Sequence, residues 1–275
     1  MEYLQRFANI LNIEVKHTMK VFVLEKKSIV FYSLMLVAAF CIISSRWSGD
    51  LSVFSSNAEN KGLPIYCVDK GEEKVCAISF DAAWGNEDTQ ELIDILAEYD
   101  VKTTFFVVGS WVDKYPESVK ALADAGHEIM NHSDSHPHMT QISESTMKKE
   151  VEACDEKIKK ITGVEPFLFR PPYGDYDSKV IDTLTDCGHY TIQWSVDSLD
   201  WKDLSPDDIT KRVTSNIHPG AIVLFHNAAK NTPKSLPQIL KTLQDDGYKI
   251  VPVSEIIMRD NYVIDHTGKQ VNTET

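Results

Sequence analysis

Short apolar runs and amphipathic stretches take turns along this chain from about residue 62 to residue 258. Val75 to Phe80 is an almost continuous apolar run, which is typical of a strand buried on both faces. Glu87 to Tyr99 places apolar residues three and four positions apart, which predicts a helix packed on one side. A strand followed by a helix is the unit from which parallel sheets are built.

The same alternation continues along the rest of this region. The apolar pattern predicts further strands at Thr103 to Val108, His127 to Met130, Phe167 to Phe169, Thr191 to Ser195, Ala221 to Phe225 and Lys249 to Pro252. It predicts further helices at Glu117 to Ala125, Glu144 to Ile161, Ser178 to Cys187, Pro206 to Ile217 and Pro233 to Asp246. Roughly seven such units favour a distorted (β/α)7 barrel over an open sheet.

The chain has 275 residues, more than this barrel needs, and much of the excess lies at the N-terminus. Residues 28–45 carry no charge and are just long enough to cross a hydrocarbon core, which predicts a transmembrane anchor. Lysine and arginine are more frequent before this segment than directly after it. Residues 1–27 are therefore expected in the cytoplasm and the catalytic part outside the cell membrane. A cleaved signal peptide and a buried helix are the alternatives.

Residues 46–61 are rich in Ser and Asn and predict a linker. We expect one folded domain at 62–258 and a polar, loosely held tail at 259–275. Met19 is a second plausible start of the chain.

The charge of the chain bears on nucleic-acid binding, and its cysteines bear on a disulfide. A net charge of −13 without clusters of Lys and Arg argues against nucleic-acid binding. Cys67 and Cys76 flank an alternating segment with a glycine turn, so a hairpin could join them in a disulfide. Two free thiols in apolar strands are the alternative.

Imidazoles cluster after one predicted strand. His132 and His136 are four residues apart, and His138 follows closely, which is typical of a metal site. Pro137 disfavours a helical conformation at His136, so the pair is expected in a turn. A solvated surface turn is the alternative.

Charged residues follow three other predicted strands. Asp81 ends the first strand, and Arg170 would keep the carboxylate ionised and oriented as a base. A purely structural salt bridge is the alternative. His226 follows the strand 221–225, and a carboxylate on its ring favours the protonated form that a general acid needs. We expect Asp200, rather than Asp197, to supply that carboxylate.

Aromatic residues lie close to these strand ends. Trp84, Tyr173 and Trp201 are candidates for a floor on which sugar rings stack, with Trp194 nearby. Ordinary core packing is the alternative for each.

Together, these segments resemble the motifs of NodB-homology polysaccharide deacetylases, the carbohydrate esterase family 4. The resemblance spans about Leu63 to Met258 and rests on Ser79-Phe80-Asp81-Ala82, His132 to His136, Arg170-Pro171-Pro172-Tyr173, Asp200-Trp201 and Leu224-Phe225-His226. The anchor and the phrase Phe-Asp-Ala-Ala-Trp-Gly-Asn-Glu-Asp-Thr are similar to the sporulation-associated, PdaB-type branch.

The resemblance implies a hydrolase that removes N-acetyl groups from peptidoglycan or chitin-like chains. Zinc or another divalent metal would be held by one Asp together with His132 and His136. Asp81 would be the base, oriented by Arg170. His226 would be the acid, oriented by Asp200, and the Tyr173 N–H would stabilise the oxyanion.

One residue departs from that pattern. Ala82 stands where the family places its metal-binding Asp, so metal binding is weakened. Water, Asp81 itself, or Glu87 or Asp88 could take the vacant position. Glu87 and Asp88 also suit the first turn of a helix.

Two functions are therefore predicted. The first is a membrane-anchored, extracytoplasmic N-deacetylase of cell-wall glycan, acting in sporulation. The second is a deacetylase-like glycan-binding protein with weak or absent catalysis. The sequence does not indicate an oligomeric state.

Overall fold

A computed structural model describes residues 62–273 of the chain. Residues 1–27, the anchor predicted at 28–45 and the linker predicted at 46–61 lie outside this part. Between residues 62 and 273, none of the helices combines the length and the apolar character that a membrane crossing requires.

Strands and helices alternate through most of the described residues. The strands are β1 (Cys67–Val68), β2 (Val75–Ala82), β3 (Thr104–Val107), β4 (Glu128–Asn131), β5 (Leu168–Phe169), β6 (Tyr190–Thr191), β7 (Val196–Asp197), β8 (Ile222–His226), β9 (Lys249–Val251), β10 (Tyr262–Ile264) and β11 (Lys269–Asn272). The helices are α1 (Thr89–Glu98), α2 (Gly109–Lys114), α3 (Pro116–Asp124), α4 (Glu144–Thr162), α5 (Ser178–Asp186), α6 (Pro206–Asn216), α7 (Thr232–Asp245) and α8 (Val253–Ile256).

The main sheet is parallel, with the order β6-β5-β4-β3-β2-β8-β7, and β9 pairs with the start of β2. Its two edge strands, β6 and β7, are consecutive along the chain. Only residues 192–195 lie between them, so the two edges are at most about 17 Å apart along the chain. The sheet must therefore curl, which brings its two edges toward each other.

The barrel stays open at the seam between β6 and β7. Here the strand predicted at Thr191 to Ser195 is wrong, because the chain changes hydrogen-bond partners as it crosses. Ile192 N donates to Phe169 O, Gln193 N to Ile65 O, and Ser195 N to Ile222 O. Ile65 also forms an isolated bridge with Ile192. The predicted barrel is thus confirmed as a parallel α/β half-barrel rather than a closed ring.

Strand β2 runs through the middle of the sheet and is buried along its whole length. Its side chains alternate between two apolar clusters. Cys76, Ile78 and Phe80 pack with residues of the surrounding helices. Val75 and Ala77 pack with Phe106 and other residues inside the barrel. The continuous apolar run in the sequence is explained by burial on both faces.

The C-terminal residues form a second, three-stranded sheet in the order β1-β11-β10. The loosely held tail predicted at 259–275 is therefore wrong for the described residues up to 273. The turn between β10 and β11 needs Gly268, whose φ is 83° and whose added Cβ would lie 2.3 Å from the Tyr66 ring. Gln270 is completely buried and bonds to both the N–H and the carbonyl of Met258.

The cysteines that the structure describes are free. Cys67 lies in β1 and Cys76 in β2, which belong to different sheets. Of the two alternatives for this pair, the structure shows the two buried thiols.

The hairpin at the C-terminus can be tested by substitution. Gln270→Ala leaves the Met258 N–H and carbonyl without their partners, so we expect it to lower the free energy of unfolding by about 1–3 kcal/mol. Gln238→Ala, on the exposed face of α7, should change it by less than about 0.5 kcal/mol. Denaturant unfolding measures both. Equal effects would contradict the structural role of the hairpin.

Candidate active site

The carboxyl ends of parallel strands meet at one end of the barrel, and the predicted site residues lie there. Asp81 is near the end of β2, and His226 is the last residue of β8. These two residues are paired in register on neighbouring strands. His132 directly follows β4, and Arg170 directly follows β5. The order of strands thus gathers residues from four separate motifs.

Arg170 and Asp81 form a buried ion pair. Arg170 has no exposed surface, and its Nη1 donates to Asp81 Oδ1 over 2.8 Å. Nη2 donates to Ser79 Oγ, and the guanidinium lies 4.1 Å from the centre of the Phe106 ring. Burial alone would raise the pKa of Asp81. The charge and hydrogen bond of Arg170, assisted by His226, outweigh burial and lower that pKa. Asp81 is therefore an ionised, fixed carboxylate.

Asp200 holds the ring and the backbone of His226. Its Oδ1 lies 2.8 Å from His226 Nδ1, and its Oδ2 accepts from the His226 N–H over 2.8 Å. Thr232 Oγ1 and the Trp201 N–H donate to the same carboxylate. Burial would lower the pKa of His226, but the hydrogen bond and charge of Asp200 raise it above its usual value. The arrangement favours a protonated ring with Nε2 as the free donor.

The Asp197 side chain bonds within its own loop. Its Oδ1 accepts from the Leu199 N–H over 2.9 Å. Of the two candidate carboxylates, it is Asp200 that contacts His226.

His132 is oriented by a backbone carbonyl. Its Nδ1 lies 2.7 Å from Arg170 O, and a carbonyl can only accept, so Nδ1 carries a proton. Burial lowers the pKa of His132 despite the nearby charge of Asp81, which favours the neutral ring. Its Nε2 then presents a lone pair toward Asp81 Oδ2, 3.5 Å away.

His136 lies beside His132, with ring centres 5.0 Å apart. Burial lowers its pKa to about 4, and the neighbouring His132 adds to the shift. The Tyr173 ring contacts both His136, at 4.5 Å, and His138, at 4.2 Å. His138 is stacked on Tyr173 and paired with Asp175, so its contacts lie on the rim of the site.

The donor set does not fit the metal that the resemblance implies. Ala82 is buried in the apolar cluster that Cys76, Ile78 and Phe80 form with the surrounding helices. On the neighbouring strand it is paired in register with Val107. Glu87 accepts from the Asn86 N–H, and Asp88 accepts from the Ala228 N–H in the loop after β8. Between residues 62 and 273, no group of three His, Cys, Asp or Glu side chains is placed to hold a metal. Two imidazoles remain, without a third ligand.

Asp88 has a different role from the one predicted. It precedes α1 but makes no side-chain bond to that helix. Its Oδ2 instead joins the loop after β2 to the loop after β8. Burial raises the pKa of Asp88 to about 6.

The aromatic candidates lie exposed around these groups. Trp84, Tyr173 and Trp201 are exposed by 57%, 61% and 56%. The Trp84 ring is 5.8 Å from His136, and Trp201 directly follows Asp200. Trp194 is half-buried and lies near the Arg170 guanidinium. Large aromatic rings with this exposure are available for contact with a ligand.

Sequence reasoning missed Asn227, which fixes the loop after β2. Its Oδ1 accepts from the Ala83 N–H, and its Nδ2 donates to the carbonyls of Trp84 and Gly85. The available signal was its position directly after His226. Ser79 was also missed as a contact of Arg170, although it lies two residues before Asp81 on the same face of the strand.

Comparison with known proteins gives related sequences. A family model described as polysaccharide deacetylase matches residues 69–192. The chain is 33% identical over 179 residues to a peptidoglycan-N-acetylglucosamine deacetylase of Bacillus cereus, covering 64% of this chain and 65% of that protein. It is 31% identical over 194 residues to the peptidoglycan-N-acetylmuramic acid deacetylase PdaA of Bacillus subtilis, covering 68% of this chain and 72% of PdaA. The chain thus spans less than two thirds of the B. cereus protein.

The similar solved structures include a pseudoenzyme. Wild-type BA3943, a CE4 family pseudoenzyme from Bacillus anthracis, superposes with a TM-score of 0.68 at 34% identity, covering 76% of this chain and 70% of that one. A BA3943 mutant with restored enzymatic activity gives the same TM-score at 35% identity, covering 76% and 72%.

The Asp200 contact predicts the titration of His226. Asp200→Asn removes the charge that raises the ring pKa, so we expect that pKa to fall. Asp197→Asn, the control, should lower it less. NMR titration of the ring measures both. Equal shifts would contradict the assignment of Asp200.

The same pair predicts a pH dependence of stability. Because the folded-state pKa of His226 is raised, its contribution is fully present below the unfolded value of about 6.5. The contribution is lost as pH rises through the folded-state pKa. The pH-dependent part of the difference in unfolding free energy between wild type and Asp200→Asn should therefore shrink toward alkaline pH. A difference that grows instead would contradict this.

Proposed function

This chain belongs to the polysaccharide deacetylase family, and we propose that it binds the N-acetylated glycan of the bacterial cell wall and deacetylates it only weakly. The proposal combines the family with one observation on the site. Asp81 and His226 are each held by a charged partner, Arg170 and Asp200, whereas Ala82 offers no carboxylate to a metal.

Asp81 and His226 can carry the proton transfers of amide hydrolysis. The ionised Asp81 would accept a proton from the attacking water, which adds to the acetyl carbon. The protonated His226 would donate to the sugar nitrogen as the C–N bond breaks, leaving acetate and a free amine. Arg170 fixes the base and Asp200 fixes the acid, each over 2.8 Å.

The part of the oxyanion stabilisation that a metal ion would supply is weakened in this chain, because Ala82 provides no carboxylate ligand. Charge develops on the acetyl oxygen in the transition state, and loss of one stabilising group commonly costs 10²–10³ in rate. The two imidazoles, His132 and His136, are neutral by the direction of their pKa shifts. They supply no positive charge to that oxygen. Slow hydrolysis is the expected result.

Binding of glycan does not depend on the missing ligand. Trp84, Tyr173 and Trp201 expose their rings beside the site and can stack on sugar faces. The pseudoenzyme BA3943, with a similar fold, shows that members of this family occur without activity. We propose peptidoglycan or a chitin-like chain as the ligand, on the analogy of the named relatives.

An active deacetylase is the second candidate. The complete Asp81–Arg170 and Asp200–His226 pairs favour it, because both are costly to keep buried without use. In that case zinc or another divalent metal would be held with fewer protein ligands.

We further propose that residues 28–45 anchor the protein in the cell membrane with the domain outside, and that it acts in sporulation. The support is the uncharged segment, its basic N-terminal flank and the resemblance of the phrase around Asp81. Carbonate extraction of membranes from sporulating cells tests the anchor. A fully soluble protein would contradict it.

Restoring the missing carboxylate tests the main proposal. Ala82→Asp should raise the affinity for zinc at least about 10-fold, because it supplies a third ligand beside His132 and His136. Acetate release from peptidoglycan and chitooligosaccharide should rise about 100-fold above wild type. Calorimetry gives the zinc and glycan affinities, and an acetate assay gives the rate.

Adding His132→Ala to Ala82→Asp is the matched control, and it should abolish the gain in zinc affinity. Wild-type release as fast as that of Ala82→Asp would support the active enzyme instead. If Ala82→Asp lowers the midpoint of unfolding without a gain in zinc affinity, Ala82 is not the site of the missing ligand.

A further inference from the structure

The turn that carries the two imidazoles is backbone-strained. We use the term imidazole turn for residues 131–136, from Asn131 through His136. Ser133 and His136 have φ values of 68° and 62°, in the left-handed region that residues other than glycine avoid. Such conformations persist only where the surroundings impose them. The contacts that impose this one come chiefly from helix α4.

Glu150 of α4 binds the middle of the turn. Its Oε2 accepts from two successive backbone N–H groups, those of Asp134 at 3.0 Å and Ser135 at 2.7 Å. Its Oε1 accepts from the Ser135 hydroxyl at 2.7 Å. Bonds from three donors to one carboxylate are stronger than neutral hydrogen bonds. This side chain therefore holds the backbone between the two imidazoles.

Asp155 of α4 binds the start of the turn through Asn131, and both side chains are buried. Asn131 Nδ2 donates to Asp155 Oδ1 over 2.7 Å, and Asn131 Oδ1 accepts from the Ser133 N–H over 2.7 Å. His189 Nε2 lies 3.2 Å from the same Asp155 oxygen. Asp155 thus fixes the orientation of the Asn131 amide, and this amide in turn fixes the backbone N–H of Ser133.

The opposite side of the turn is packed against the start of α2. Gly109 N donates to Ser133 O, and Ser110 N donates to Asp134 O, each over 2.9 Å. A Cβ on Gly109 would lie 2.0 Å from Asp134 Oδ1 and 3.1 Å from Asp134 Cα. Lys157 of α4 also pairs with the Asp134 carboxylate. The turn is enclosed on both sides by protein groups.

We infer that Glu150 and Asp155 are positioning residues for the imidazole turn, which they hold in its binding geometry without help from a metal ion. Neither residue contacts the imidazole rings through any of these bonds. They act through Asn131 and the backbone of residues 133–135. In a chain whose metal ligand set is incomplete, this clamp keeps His132 and His136 in place. The identity of the ligand that the imidazoles bind rests on the proposed function, whereas the role of Glu150 and Asp155 in holding the turn does not.

The full-length chain, labelled with ¹⁵N-histidine and treated with EDTA, tests this directly. Wild type should give one set of ring signals for His132 and His136. Glu150→Gln keeps the shape but loses an acceptor, so it should shift or split the His136 signals. Exchange of the Asp134 and Ser135 amides, followed by mass spectrometry, should quicken at least 10-fold. Glu152→Gln, an exposed position on α4, is the control and should match wild type in both measurements.

The unfolding midpoint separates positioning from a general loss of stability. Glu150→Gln should unfold at a lower denaturant concentration than Glu152→Gln, because it loses bonds of the native state. Gln270→Ala, which lowers stability through the C-terminal hairpin, should leave the His136 ring signals unchanged. If Glu150→Gln fails to fold, Ser135→Ala removes one bond to Glu150 and should quicken exchange at residue 135 to a smaller extent. Asp155→Asn should disturb the Ser133 amide in the same way.

Two results would overturn the inference. One is multiple ring signals in wild type with EDTA that become single only when zinc is added, since the metal would then order the turn. The other is identical ring spectra and exchange for Glu150→Gln and Glu152→Gln. Glycan affinity enters neither measurement, so failure of the proposed function would leave these outcomes unchanged.

Discussion

The buried ion pair between Arg170 and Asp81 is the interaction on which the site depends. Removing one partner of such a pair typically costs 3–5 kcal/mol, because an uncompensated charge stays buried. The backbone carbonyl of Arg170 also accepts a hydrogen bond from His132 Nδ1, and its guanidinium donates to Ser79 Oγ. One residue thus fixes a carboxylate from β2 and an imidazole from the turn after β4. Protein contacts therefore orient both Asp81 and His132.

The site divides into two parts that depend on different residues. Asp81 and His226 are fixed by Arg170 and Asp200, and their pKa shifts favour an ionised base and a protonated acid. His132 and His136 are fixed by a carbonyl and by α4, and their pKa shifts favour neutral rings. Loss of a carboxylate at Ala82 affects the second part and leaves the first intact. This division supports the proposal that the protein binds glycan and deacetylates it only weakly.

The strands and most of the site residues could be predicted from the sequence, because their signals are local. Buried strands such as β2 show as continuous apolar runs, and residues directly after them meet at one end of a parallel sheet. The seam at residues 192–195 could not be predicted, because its partners are distant in sequence and change at each residue. The C-terminal hairpin was missed because its core is one buried amide, Gln270, rather than apolar residues. Asp88 follows the sequence rule for a helix cap, but a distant N–H at Ala228 competes for its carboxylate.

The ionisation of Asp81 tests the central claim most directly. The ¹³C chemical shift of its carboxyl carbon, followed against pH in metal-free protein, reports when it takes up a proton. The account predicts a carboxylate that stays ionised below the usual pKa of about 3.8, with Arg170→Met raising the midpoint as burial then acts unopposed. An Asp81 that protonates near neutral pH in wild type, or is unaffected by Arg170→Met, would contradict the account.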